Sequence, residues 1–130
     1  MAQVEFLHAR IFAFLMRKAL ERKTATYEEI ALKFDLPSTG NGLGATLSPK
    51  LGHILTWCQQ HGLPPISVLV VRKSGAQAGL PGRGFWVIMG LDDLDDDAKR
   101  IMTTKLQLDV YRCFGDLEQP NHSANQLELV

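Results

Sequence analysis

The chain has 130 residues, of which 45% are hydrophobic and 22% charged, a composition that supports one packed domain. No run of about 18 apolar residues occurs, and the N-terminus lacks the pattern of a secretory signal, so we expect a cytoplasmic protein outside the membrane. Cys58 and Cys113 have no paired-ligand spacing, which argues against a disulfide framework and against a zinc site.

The net charge of zero hides two regions of opposite sign. Residues 1–90 contain ten Lys/Arg against five Asp/Glu, whereas residues 91–130 contain four against nine. This division predicts a basic working surface and an acidic appendage. The alternative is an acidic helix start followed by a polar tail, both simply solvated.

Residues 2–22 are good helix formers with apolar side chains over much of the helix circumference. One face at helical spacing consists of Val4, Leu7, Ile11, Leu15 and Ala19. Such a helix must be covered on two sides, by the core and by either the C-terminal helix or a second subunit. The excess apolar surface of the first and last helices favours a homodimer.

A capping box, "TYEE" at 26–29, predicts the start of a short helix that stops by Leu36, because Pro37 disfavours helical geometry in the residue before it. Ser38 or Thr39 can cap a second short helix that runs to about residue 47. Ser48-Pro49 then predicts the cap and first turn of a third helix, which ends at residue 61.

Two segments rich in β-branched and aromatic residues, 66–72 and 85–91, predict strands that pair as an antiparallel hairpin. The glycine-rich connection between them is long and is expected to project as a mobile loop. Five aspartates among residues 92–97 suit the positive end of a final helix. We therefore expect one domain over residues 1–114, followed by a polar, flexible tail over 115–130.

This order of elements predicts an α+β fold: a winged helix-turn-helix with a two-stranded β-hairpin wing and extra N- and C-terminal helices. In such domains the second helix enters the major groove and the wing reaches the backbone. We expect Thr39, Asn41 and Thr46 to meet base or sugar edges and Gly42 to allow close approach of the backbone. The phosphate-binding candidates are Lys50, Arg72, Lys73 and Arg83.

Residues 26–47, "TYEEIALKFDLPSTGNGLGATL", resemble the helix-turn-helix of the alkylguanine-DNA alkyltransferases and the alkyltransferase-like proteins. The segment "GLPGRGF" at 79–85 is similar to the glycine-rich segment that follows that family's active site. The resemblance covers about a third of the chain and implies a winged helix that binds double-stranded DNA.

Two departures limit what the resemblance implies. Asn41 stands where the family has an intercalating arginine, and the acceptor motif should fall within 66–72, which contains neither cysteine nor histidine. Alkyl transfer needs a thiolate activated by a neighbouring base. We therefore expect no alkyltransferase activity, no enzyme of another kind, and neither a cofactor nor a metal.

The residues thus predict a non-catalytic DNA-binding protein of bacterial or phage type that uses the segment 38–46 and a basic wing. The alternative is a protein-interaction module on the same scaffold, an adaptor or inhibitor in a host–phage or restriction system. Cys58 and His61 are neighbours on one helix, but a core cysteine and a helix-terminal histidine explain them better than catalysis does. Trp86 is expected to pack in the core rather than to stack on a base.

Overall fold

The computed structural model describes residues 2–36 and 40–115, with the side chains of residues 8–36 and 46–115. Its elements in chain order are α1 (Ala2–Glu21), β1 (Ala25–Thr26), α2 (Tyr27–Lys33), α3 (Gly40–Gln60), a 3₁₀ helix (Ile66–Leu69), β2 (Val70–Val71), α4 (Arg83–Met89), α5 (Asp96–Val110) and a π-helical turn (Tyr111–Gly115). The fold is α+β and mostly helical. Thr39 and the predicted tail beyond residue 115 lie outside the described residues.

The predicted β-hairpin is wrong. The first segment forms the 3₁₀ helix and β2, and β2 pairs in parallel with β1 through Ala25↔Val70 and Thr26↔Val71. The second segment forms helix α4, which begins after Gly82 and ends at Gly90, whose φ of 74° closes it. Burial of Phe85 and Trp86 on one helical face outweighs the β propensity of the sequence.

The predicted break between two helices at Ser48-Pro49 is also wrong, because α3 continues through Pro49 as one helix. A proline inside a helix removes one backbone hydrogen bond. In the same turn the Lys50 ammonium donates to the Thr46 carbonyl at 3.1 Å. Packing of Leu51, Ile54 and Leu55 in the core favours a continuous axis over the local signal for a new cap.

The capping box is confirmed and positions α2 directly after β1. The Glu29 amide donates to the Thr26 hydroxyl at 3.1 Å, and the Thr26 amide donates to the Glu29 carboxylate at 3.4 Å. The chain therefore passes from β1 into α2 without an intervening loop.

The core lies between α1, α3 and the 3₁₀ helix. Ile11, Leu15 and Ala19 are fully buried, as their spacing predicts. The C-terminal segment covers the second side of α1: the Phe12 and Phe114 rings lie 6.1 Å apart, edge to face. Gly115 packs so closely that an added Cβ would lie 3.0 Å from the Ala19 carbonyl oxygen.

The connection from residue 72 to residue 82 folds back on itself instead of bridging two strands. The Arg72 amide donates to the Leu80 carbonyl, and the Gly79 amide donates to the Arg72 carbonyl, each at 2.9 Å. The Arg100 guanidinium of α5 donates to the carbonyls of Ala76 and Ala78, at 2.8 and 3.1 Å. This helix ties the connection to the body of the protein.

The aspartate-rich segment begins α5 as expected. Asp95 is its N-cap, and its carboxylate accepts a hydrogen bond from the Ala98 amide at 2.8 Å. None of the described helices is long and apolar enough to span a membrane.

Candidate nucleic-acid interface

Three of the four predicted phosphate-binding residues, Arg72, Lys73 and Arg83, line one open cavity of about 470 Å³. We call it the basic cavity. Its polar lining is completed by Tyr27, Glu28, Ser48, Ser67 and Ser74. The segments that carry these cations follow α2 and α3 in sequence, and the tertiary fold brings the cations beside residues of the two helices.

The parallel sheet explains why Tyr27 and Arg72 meet. Thr26 pairs with Val71, so the next residue of each strand leaves the sheet at the same end. The Gly82 amide donates to the Tyr27 hydroxyl at 2.7 Å, which joins the start of α4 to the start of α2. Burial raises the pKa of the Tyr27 phenol, while the Gly82 amide and the Arg72 cation offset part of that rise.

Two residues that line the basic cavity each carry a polar side-chain atom with no hydrogen-bond partner. These atoms are the Ser67 Oγ and the Glu28 Oε1, both buried, and Ser67 is only 4% exposed. An unpaired buried polar atom costs stability, and neither atom is open to solvent here.

Ser67 lacks the arrangement of an activated nucleophile. A serine nucleophile needs a base within hydrogen-bond reach, and the Ser67 Oγ makes no hydrogen bond.

Arg83 is engaged within the chain. Its Nε lies 3.3 Å from the Asp92 carboxylate, and the Lys99 ammonium lies 3.8 Å from the other oxygen of the same carboxylate. A phosphate at Arg83 would therefore compete with Asp92.

Two small residues of α3, Ser48 and Gly52, line the basic cavity. A Cβ at Gly52 would lie 3.2 Å from Ile88 Cδ1, so this glycine serves the packing of α4 on α3. The backbone of Asn41 and Gly42 forms part of the first turn of the same helix.

Lys50 does not join the other three cations. It lies beside His8, whose pKa is lowered by burial and further by the charges of His53 and Lys50. Thr46, one turn before Lys50, is half-buried, and its carbonyl accepts the Lys50 ammonium. Sequence reasoning missed Tyr27, Glu28 and Ser67, although Ser67 is the one polar residue in the run 66–71.

A second cavity of about 470 Å³ lies between α1 and α3 and is mostly apolar. We call it the apolar groove. Its lining residues are His8, Ala9, Phe12, Ala13, Met16, His53, Ile54 and Trp57. The His8 and His53 rings lie 5.1 Å apart at one end, and the Phe12 and Trp57 rings lie 5.3 Å apart further along.

Cys58 and Trp86, considered above for catalysis and for base stacking, both lie in the core. Cys58 is buried, and burial raises the pKa of its thiol, which disfavours the thiolate. The Trp86 indole is buried and donates to the Pro81 carbonyl at 3.2 Å, which confirms its place in the core. Among the residues described, no three His, Cys, Asp or Glu side chains are grouped to hold a metal.

No family model, curated protein or solved structure matches this chain.

Proposed function

We propose that this chain is a non-catalytic DNA-binding protein that contacts the phosphate backbone at the basic cavity. The observation that carries the proposal is that Arg72, Lys73 and Arg83 line the same cavity. Such side chains supply most of the affinity for nucleic acid, through charge neutralisation and counterion release.

The surface of α3 supports the same function. Ser48, a small and exposed residue of α3, lines the basic cavity, where a strand could approach the helix. The resemblance of residues 26–47 to an alkyltransferase helix-turn-helix points to the same ligand, with contacts from the start of α3. The Glu28 carboxylate in the cavity and the Asp92 partner of Arg83 limit the positive charge, so we expect modest affinity at physiological salt.

Fluorescence anisotropy with a labelled duplex and the matching single strand, at two salt concentrations, tests this proposal. With three phosphate contacts, the plot of log K against log salt should have a slope of about −2.7. The double substitution Arg72→Ala/Lys73→Ala should abolish binding at physiological salt and reduce the slope by about 2.

A matched control removes two exposed lysines elsewhere, Lys23→Ala/Lys105→Ala. It changes the net charge equally and should leave the affinity within about twofold of the original. Equal losses in the two double variants would mean that total charge, and not the basic cavity, determines binding.

The second candidate is a protein-interaction module, and one observation favours it. Asp93 and Asp97, near the start of α5, are exposed. Together they offer an acidic surface to a basic partner. Flat titrations with both nucleic acids at low salt would favour this function over DNA binding.

A further inference from the structure

The apolar groove exposes more aromatic surface than an isolated domain needs. Trp57 is 44% exposed, and Phe12 and Met16 beside it are only half-buried. Ala9 and Ala13 on α1 are exposed and small, which would let a third helix pack closely against α1 and α3. A large exposed apolar groove typically marks an interaction site.

Among the described side chains, Lys50 places a positive charge near His8 at one end of the groove, although it is not part of the lining. Trp57 and Met16 form the other end. The described lining contains no carboxylate. A complementary partner therefore has apolar side chains with an acidic group at one end.

Helix α5 of the same chain presents such a surface. Asp97, Ile101, Thr104 and Leu108 follow one another at spacings of four, three and four residues, which places them on one helix face. All four are exposed, Ile101 by 74% and Leu108 by 39%. The Thr104 hydroxyl donates to the Arg100 carbonyl within the helix, so docking leaves it satisfied. We call these four residues the α5 stripe.

The lengths of the two surfaces agree. Ile101 and Leu108 are about 10 Å apart along α5, and His8 and Met16 are about 12 Å apart along α1. The ring contacts of His8 with His53 and of Phe12 with Trp57 show that α1 and α3 run in the same direction here. A third helix with this direction brings Asp97 toward Lys50 and Leu108 toward Trp57.

We propose that the apolar groove binds the α5 stripe of a second copy of this chain. Ile101 and Leu108 fill the groove, and Asp97 faces Lys50 and His53. If each copy supplies one groove and one stripe to the other, the result is a closed two-fold dimer; if the geometry does not close, the copies form a chain.

The test is the oligomeric state of the full chain, measured by sedimentation velocity from about 5 to 500 µM, in buffer without nucleic acid. The original protein should self-associate as its concentration rises. Ile101→Glu changes only the α5 stripe, and Ala13→Glu changes only the groove. Both positions are exposed, so both variants should keep the fold. Circular dichroism of each variant checks this. Each variant should weaken association at least tenfold.

Mixing the two variants gives the sharper result. Ile101→Glu keeps an intact groove and Ala13→Glu keeps an intact stripe, so the mixture should associate where neither variant does alone. Leu32→Glu, at an equally exposed leucine on α2, should leave association unchanged. Dimers and longer chains both support the proposal; a monomer up to 500 µM, self-association that neither variant weakens, or a mixture that stays monomeric overturns it.

Discussion

At the scale of single residues, Gly82 is a position where an added methyl group should be costly. A Cβ there would lie 2.8 Å from the Tyr27 hydroxyl oxygen, which now accepts the Gly82 amide. Tyr27 is the first residue of α2 and is largely buried, so Gly82→Ala should break this hydrogen bond and destabilise the fold by about 1–3 kcal/mol. The measurement is the free energy of unfolding in urea.

Gly84 provides the control for that substitution. A Cβ at Gly84 meets nothing within 4 Å, and the residue lies in α4, so Gly84→Ala should be neutral or stabilising by up to about 1 kcal/mol. In a Tyr27→Phe background the cost of Gly82→Ala should shrink. An unchanged cost in that background would mean that the tyrosine hydroxyl is not the cause.

At the scale of elements, Pro49 distinguishes the continuous helix from two separate ones. A proline inside a helix costs about 3 kcal/mol of stability relative to alanine. Because proline also restricts the unfolded chain, about 1 kcal/mol of this cost is recovered. Pro49 is exposed, so Pro49→Ala should stabilise the protein by about 1–2 kcal/mol in urea unfolding. A proline in the first turn of a new helix would give no such gain.

The capping residues complete this comparison. Thr26→Ala removes a true N-cap and should cost about 1 kcal/mol. Ser48 lies inside α3, so Ser48→Ala should cost much less. Equal costs at the two positions would contradict the continuous helix.

At the scale of the whole molecule, the basic and acidic parts of the chain meet at Asp92. Asp92 contacts Arg83 from the basic part and Lys99 from α5. If the basic cavity binds phosphate, Asp92→Asn should raise the affinity for duplex DNA about two- to fivefold at low salt, because Arg83 loses its internal partner. Anisotropy at low and physiological salt measures the change.

Asp93→Asn changes the net charge equally at the neighbouring exposed aspartate and serves as its control. The same gain in both variants would mean that Asp92 has no specific effect on Arg83. Deleting the acidic part is not a suitable test, because Leu106, Val110 and Phe114 belong to the core.

Local signals predicted those features whose cause lies within a few residues. The capping box at Thr26 and the aspartate cap of α5 depend on contacts between residues three apart, and both are present. The helical spacing of Ile11, Leu15 and Ala19 is equally local, and all three are buried. The prediction for residues 85–91 was wrong because β propensity reflects packing partners that a short segment does not contain. The caps at Gly82 and Gly90 were the local signals for a helix in that segment.

The sequence by itself determined the composition of the core, the helices at both ends of the described chain and the basic character of residues 72–83, because hydrophobic spacing and charge are local properties. Only the tertiary structure decided that Arg72, Lys73 and Arg83 share a cavity with Tyr27, Glu28 and Ser67, and that Lys50 lies outside it, near His8. The physical reason is the parallel pairing of β1 with β2, which joins segments 45 residues apart through two residue pairs. No local pattern specifies such a pairing, because it depends on how the intervening helices α2 and α3 pack.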